Sequence, residues 1–258
     1  MTRTTFIAAA LALAATLPIA PAQAAGVART FLSAAGSDSN NCINVATPCR
    51  HLATAFAATA ADGEIYVLDP ANYGSLNITH GVSIEGHGWA SIAPAGAGGA
   101  AIVINANPGE KINIIGVVLD GTAIGSTTGI LFNSGGSLTV RDSVIRNFGS
   151  AGITFDPSSS APCHLYVSNT LVSDNNGGIG ITLACTGNTT GTLDRVAIQN
   201  NASDGLEISS NTGQTINVTV SDSVSAGNDN ASPVNLMVEW QASRCGTPQS
   251  PITPTMDC

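Results

Sequence analysis

The side chains of this 258-residue chain that could carry out chemistry are few and widely spaced. Hydrolysis of a glycosidic bond needs two carboxylates that flank it, and the best-placed acids are Asp156 and Glu207. Proton abstraction beside a uronate carboxyl group needs a base, together with carboxylates that hold Ca²⁺. The bases available for that step are Lys111 and Arg141. These four residues are our catalytic candidates, and they do not form a complete catalytic set in the sequence.

A second candidate set consists of six cysteines: Cys42, Cys49, Cys163, Cys185, Cys245 and Cys258. Residues 1–24 have the form of a signal peptide, with an apolar run that ends in small residues. An even number of cysteines behind such a segment is typical of disulfides formed in an oxidising compartment. Their spacing favours the pairs Cys42–Cys49, Cys163–Cys185 and Cys245–Cys258. No CxxC motif or histidine pair accompanies them, so we predict no metal site.

The low number of basic residues limits the classes of partner that this protein can bind. Lys and Arg number 8 against 17 Asp and Glu, and only 10% of the residues are charged. So few bases cannot displace the counterions of a nucleic acid, so we predict no nucleic-acid partner. No apolar run after residue 24 is long enough to span a membrane. The signal-peptide pattern and the even number of cysteines lead us to expect an exported protein, either periplasmic or secreted.

The elements that must position these residues repeat along the chain. An apolar anchor recurs every 26 or 27 residues, and another apolar residue lies four places before most anchors. Each unit holds three short strands, because Gly-led alternating segments such as Gly-Ile-Thr-Phe at 152–155 recur without a helical period. Such a unit cannot bury its own apolar face, so stacked units share one core. The pattern predicts an all-β, single-stranded parallel β-helix with these anchors: Ile92, Val118, Val144, Leu171, Ala197 and Val224.

Two sets of positions recur outside the predicted core. The first set points outward from the Gly-led strand and comprises Val103, Leu131, Thr154, Thr182, Glu207 and Met237. The second set falls at one corner of successive coils and comprises Asn147, Asn175, Asn200, Asn201 and Asn228. Stacked amides can hydrogen-bond along such a column. We interpret the second set as a structural asparagine ladder rather than as a row of sugar ligands.

The two ends differ from the repeats. Thr47 is a potential N-cap with Pro48 after it, which predicts a short capping helix over residues 48–59. The first strand is then expected to open at Gly63. We divide the chain into the signal peptide (1–24), an N-terminal segment with the capping helix (25–62), the β-helix (63–240) and a disulfide-tied tail (241–258).

Several motifs resemble those of a known family. They are Thr-Pro-Cys at 47–49, Gly-Glu-Ile-Tyr-Val-Leu at 63–68, Val-Ser-Ile-Glu-Gly at 82–86, and the later Gly-Ile and Asn-turn units. Together they resemble an exported branch of the right-handed parallel β-helix proteins of the pectin-lyase-like superfamily. The superfamily includes lyases, hydrolases and adhesins, so the resemblance implies a fold and no particular reaction.

One tripeptide, Gly86-His87-Gly88, resembles part of the polygalacturonase motif set. The paired aspartates and the Arg-x-Lys of those enzymes are missing from this sequence. We therefore interpret the tripeptide as a loop that follows a strand.

The longest predicted turns, 156–164 and 184–192, supply the candidate binding residues. Asn188 and Thr189 lie in the second turn, and Thr154 and Thr182 lie on the strands beside the turns. We expect a protein that binds polysaccharide or a cell-surface partner, without a cofactor and without a complete catalytic site. The alternative is a divergent polysaccharide lyase or glycoside hydrolase, with Ca²⁺ involved only in the lyase.

Overall fold

The computed structural model describes residues 26–94, 98–122, 125, 127–158, 161–210, 214–229 and 240–245. The predicted signal peptide, Met237 and the chain after residue 245 lie outside this part. The fold is a parallel β-helix of about five turns, so the predicted fold class is confirmed. Its elements are β1 (Val27–Leu32), α1 (Leu52–Ala58), β2 (Thr59–Val67), β3 (Ala71–Asn72), β4 (Leu76–Ile78), β5 (Val82–Ile92), β6 (Ile102–Asn105), β7 (Lys111–Asp120), β8 (Thr128–Ser134), β9 (Ser137–Arg141), β10 (Val144–Arg146), β11 (Ala151–Phe155), β12 (Cys163–Ser173), β13 (Ile179–Cys185), β14 (Thr189–Gln199), β15 (Leu206–Ser210), β16 (Thr215–Ser221), β17 (Val224–Ala226) and β18 (Trp240–Cys245).

The strands form two sheets, which we call the long sheet and the short sheet. The long sheet has the order β1-β2-β5-β7-β10-β12-β14-β16-β18, with β3, β9 and β17 pairing alongside. The short sheet has the order β4-β6-β8-β11-β13-β15. Neighbouring strands between β1 and β17 run parallel, and coil follows coil at roughly 4.8 Å.

The register of the long sheet confirms most of the predicted period. The paired anchors are Val118, Val144, Leu171, Ala197 and Val224. The apolar residues four places earlier also pair, and they are Ile114, Val140, Val167, Leu193 and Val220. The first anchor is wrong by one position: Ser91, and not Ile92, pairs with Val118. The cause is a register shift within β5, between Glu85 and Ala90.

The predicted division of each coil into three arms holds, but the first two arms form one bent strand in β7, β12 and β14. At the bend a single residue adopts the left-handed region, with φ between 47° and 53° in four successive coils: Asp142, Asn169, Arg195 and Asp222. Asn and Asp tolerate this region better than other non-glycine residues. The bend therefore turns the chain within one residue, and the hydrogen-bond ladder resumes on either side of it.

In the core, side chains of the same type stack on one another in successive coils. Ile130, Ile153 and Ile181 are in register and fully buried, and the rings of Phe132 and Phe155 stack with centroids 4.4 Å apart. Burial of each such side chain contributes roughly 1.5–3 kcal/mol. Every buried polar residue in the described part of the chain is Ser, Thr or Asn. The core therefore contains no ionised group among these residues.

The asparagine ladder is confirmed at three positions, Asn175, Asn201 and Asn228, all of them buried. Nδ2 of Asn175 donates to Oδ1 of Asn201 (2.7 Å), and Nδ2 of Asn201 donates to Oδ1 of Asn228 (2.8 Å). The backbone N–H of Phe148 donates to Oδ1 of Asn175, which extends the ladder to the preceding coil (3.1 Å). The amides of Asn175 and Asn201 thus pair with the coils on either side, and that of Asn228 pairs with the preceding coil.

Asn147 and Asn200 do not belong to the ladder. Each lies one position before the ladder column of its coil, at Phe148 and at Asn201, and has left-handed backbone, with φ of 65° and 53°. Nδ2 of Asn147 donates outward to Oδ1 of Asp120 (3.0 Å). The predicted column of five is therefore two columns, one that turns the chain and one that ties the coils together.

The N-terminal end differs from the prediction. The first strand is β1, which precedes the helix and pairs with β2, so the β-helix begins before Gly63. The helix begins at Leu52 rather than at Pro48. Residues 48–49 are held in extended structure, because Cys49 donates from its N–H to the carbonyl oxygen of Phe31 (3.0 Å). The expected apolar stripe of the helix is present, with Leu52, Ala55 and Phe56 buried.

At the other end, β18 pairs antiparallel with β16. The predicted tie between Cys245 and Cys258 lies outside the described side chains. Within the described residues, no helix has the length and apolar character needed to cross a membrane.

Replacing one ladder residue should show how much the buried amides stabilise the fold. Asn201→Ala leaves Nδ2 of Asn175 and Oδ1 of Asn228 buried without their partner. We expect a loss of about 3 kcal/mol in the free energy of unfolding, measured by urea denaturation. Asn105→Ala is the matched control, because Asn105 belongs to an exposed ladder with Asn77 and Asn133. The control should lose about 1 kcal/mol or less. Equal losses would contradict the assigned role.

Candidate functional site

The four catalytic candidates lie on different sheets. Asp156 directly follows β11 and Glu207 lies in β15, both in the short sheet. Lys111 begins β7 and Arg141 ends β9, both in the long sheet. Arg141 is also engaged by Asp142, with Nε 3.1 Å from Oδ2. The structure thus divides the four candidates into an acidic pair near the short sheet and a basic pair on the long sheet.

The candidate binding residues have two different environments. Thr154 and Thr182 are register neighbours in the short sheet, within the outward row predicted from Val103 to Glu207. Asn188 is exposed, and its Oδ1 accepts a hydrogen bond from the N–H of Thr215 (3.0 Å). Thr189 is only 2% exposed, and its hydroxyl donates to the carbonyl oxygen of Gly187 (3.2 Å). Thr189 is therefore not available to a ligand at the surface.

The cysteines confirm one predicted disulfide and correct another. Cys42 and Cys49 are bonded. Cys163 and Cys185 are buried free thiols, so the predicted staple between the two turns is wrong. Each sulfur points to a backbone carbonyl: that of Cys163 to Gly135 (3.4 Å) and that of Cys185 to Phe155 (3.8 Å). Burial raises the pKa of both thiols, that of Cys185 to about 11.

Three aromatic side chains come together on the outward side of the long sheet, near its N-terminal end. The ring centroids of Tyr66 and His87 are 4.4 Å apart at an interplanar angle of 60°, and those of His87 and Trp89 are 5.5 Å apart at 44°. Trp89 is 45% exposed. We call these three residues the aromatic platform. An exposed indole of this kind is unusual for a chain in which only 4% of residues are aromatic.

A backbone bulge in β5 holds the platform outward. His87 and Gly88 have φ of 56° and 82°, at the register shift of this strand. In the next coil Gly116 also has positive φ, and a Cβ built on it would lie 2.8 Å from the backbone nitrogens of His87 and Gly88. Gly86-His87-Gly88 is therefore a bulge inside a strand and not a loop after one. Backbone strain of this kind is concentrated at functional sites.

Charged groups border the platform. Arg29 binds Glu64, with Nε 2.5 Å from Oε2, and its guanidinium carbon lies 5.7 Å from the centroid of Tyr66. Glu85 in β5 pairs in register with Tyr66 in β2. Two residues earlier on the same two strands, Ser83 pairs with Glu64. Burial raises the pKa of Glu85, and the negative charge of Glu64 raises it further. Two carboxylates on adjacent coils thus flank the rings.

A row of polar side chains continues from the platform along the long sheet. Its members are in register and follow one another by one coil: Glu64, Ser83, Asn113, Thr139, Tyr166, Thr192 and Thr219. Tyr166 is 39% exposed and adds a further ring. Beside the start of this row lies a cavity of about 650 Å³, lined by Asp62, Ser83, Glu110, Lys111 and Asn113 among others. This face therefore combines hydrogen-bonding groups, rings and a concave end.

No family model matches the chain, and no curated protein or solved structure does either. The β-helix is therefore established by the register of its strands. In the described residues, no three His, Cys, Asp or Glu side chains are grouped as a metal site would require.

The aromatic platform was missed by the sequence reasoning, although one signal for it was present. Strand alternation around Ile65 and Val67 places Tyr66 outward, on the side of Glu64. His87 and Trp89 are two residues apart, and residues with this spacing in a strand lie on the same face. The prediction of a loop at residues 86–88 is incompatible with that arrangement.

Glu85→Gln should stabilise the protein at neutral pH. The folded state raises the pKa of this carboxyl group, so above that pKa the ionised group destabilises the fold. The gain in the free energy of unfolding should vanish once the pH falls below the ordinary glutamate pKa, because the group is then protonated in both states. Urea denaturation at pH 7 and pH 3.5 measures this, with Glu207→Gln as the control. An identical pH dependence in the two variants would rule out the assigned cause.

Proposed function

We propose that this protein binds polysaccharide through the outward face of the long sheet, with the aromatic platform as the main contact. The C–H faces of sugar rings are apolar and carry slight positive charge, so they pack well on the negative face of an aromatic ring. The observation that carries the proposal is the grouping of the Tyr66 ring with His87 and Trp89, which the bulge in β5 presents beside it. Packing of the hydrophobic core does not explain why these three rings lie on the surface.

The surroundings of the platform support the same function. Sugar hydroxyls need partners that accept and donate hydrogen bonds, and the polar row supplies both at one-coil intervals. Nδ2 of Asn113 already donates to Oγ of Ser83 (3.0 Å), so the row is partly preorganised. A rigid face with rings and fixed polar groups loses little conformational entropy when a ligand binds. A polysaccharide displayed on a cell surface would meet the same requirements.

The proposal includes export and a family relationship. The disulfide between Cys42 and Cys49 is compatible with an oxidising compartment, and residues 1–24 have the form of a signal peptide. The motifs at 47–49, 63–68 and 82–86 support membership of the pectin-lyase-like superfamily. Detection of the mature chain in periplasmic or culture fractions would test the export.

Trp89→Ala should weaken polysaccharide binding. A glycan array identifies the ligand, and titration calorimetry then compares the variant with the parent protein. We expect the dissociation constant to rise about tenfold or more, which corresponds to about 1.4 kcal/mol. Val45→Ala is the matched control, because Val45 is also an exposed apolar side chain (56%) but lies in the disulfide loop. Circular dichroism should show the same fold in both variants.

Two results would overturn this proposed function. One is a broad array without any bound glycan. The other is equal affinity in the Trp89 and Val45 variants for a glycan that the parent protein binds.

A further inference from the structure

The groups that border the aromatic platform mostly accept hydrogen bonds. Glu64 and Glu85 are carboxylates, and an ionised carboxylate has no proton to donate. Strand alternation and register place both side chains on the outward face, on adjacent coils. A ligand that lies on the rings must therefore bring its own donors to this border. Free hydroxyl groups on neighbouring carbons of a hexose are such donors.

Two arginines on this face are already engaged by carboxylates. Arg29 binds Glu64 (2.5 Å), and Arg141 binds Asp142 (3.1 Å). Glu85 makes no ion pair among the described residues, although it is half-buried. Its negative charge is therefore not neutralised by a direct partner. An additional anion placed over the rings would be close to this charge and to Glu64, with little water between them to screen the repulsion.

The cavity beside the polar row also has more acidic than basic groups. The cavity beside the polar row is lined by Asp62 and Glu110 against a single Lys111. Glu110 is fixed there, because its Oε2 accepts a hydrogen bond from the N–H of Gly81 (2.7 Å). The whole chain has a net charge of −9. A polyanion that extended from the platform along these strands would meet further carboxylates.

We infer that the aromatic platform takes neutral hexose units and rejects uronate units. The hydroxyls of a neutral unit donate to Glu64 and Glu85 while its C–H face packs on Trp89. The carboxylate of a uronate unit would lie beside the same two acids, and Arg29, the arginine that contacts the rings, is already paired with Glu64. The inference rests on the proposed function, because it names the class of sugar that the same site binds.

Matched pairs of oligosaccharides test this selectivity. The probes are hexamers of β-1,4-linked glucose, mannose and galactose, each with a counterpart in which every C6 is oxidised to a carboxylate. Binding is measured by titration calorimetry at pH 7 and low ionic strength, with EDTA present so that no divalent cation bridges the two anions. We expect the tightest neutral hexamer to bind at least tenfold more tightly than its oxidised counterpart.

Two variants connect the selectivity to the named residues. Glu85→Gln removes one charge with little change of shape, so the preference for the neutral hexamer should fall to about threefold or less. Glu207→Gln removes a charge from the short sheet and should leave the preference unchanged. Concentrated salt should also reduce the preference of the parent protein, because it screens repulsion.

The possible failures are distinguishable. An oxidised hexamer that binds as tightly as its neutral counterpart, or more tightly, overturns the selectivity and leaves the proposed function standing. An unchanged preference in the Glu85 variant overturns the assignment of the selectivity to Glu85. A complete absence of binding to all six hexamers and to the glycan array overturns the proposed function, and the selectivity with it.

Discussion

The in-register stacking of successive coils is the constraint on which the rest of this structure depends. Each residue lies one coil above its equivalent, so every column must be filled with side chains that tolerate their own kind at about 4.8 Å. Aliphatic and aromatic side chains do so in the core, and the amides of Asn175, Asn201 and Asn228 do so by hydrogen bonding to one another. Like charges in one column repel each other. The low charge content, 10% of residues, is what such stacking favours.

This constraint also explains how much of the fold could be predicted from the sequence. Columns of equivalent residues appear as a period of 26 or 27, so the coils, the paired anchors from Val118 to Val224 and the buried ladder were all accessible. The prediction was wrong where a segment has no equivalent. Strand β1 has no earlier copy among the described residues, and the helix start depends on Cys49 being held beside β1. Periodicity contains no information about either.

The candidate site was less predictable for a related reason. The repeated outward row of the short sheet predicts Glu207 as a candidate, and Asp156 lies just beyond a strand of the same row. The platform instead depends on an interruption of the repeat, where the backbone of His87 and Gly88 packs closely against Gly116 in the next coil. The disulfide between Cys163 and Cys185 failed similarly: their spacing suited a bond, but each thiol points to a different carbonyl group. Spacing along the chain does not determine the direction of a side chain.

The bulge in β5 also marks one position along an otherwise repetitive solenoid. Because the coils are nearly equivalent, a ligand held only by the polar row could shift by one coil at little cost. The three rings lie on two adjacent coils near one end of the described solenoid, so they set a single origin from which every later coil is counted. The number of coils then determines the distance between the bound polysaccharide and the opposite end of the solenoid. Whole coils could be gained or lost in evolution, which would change that distance without altering the rings.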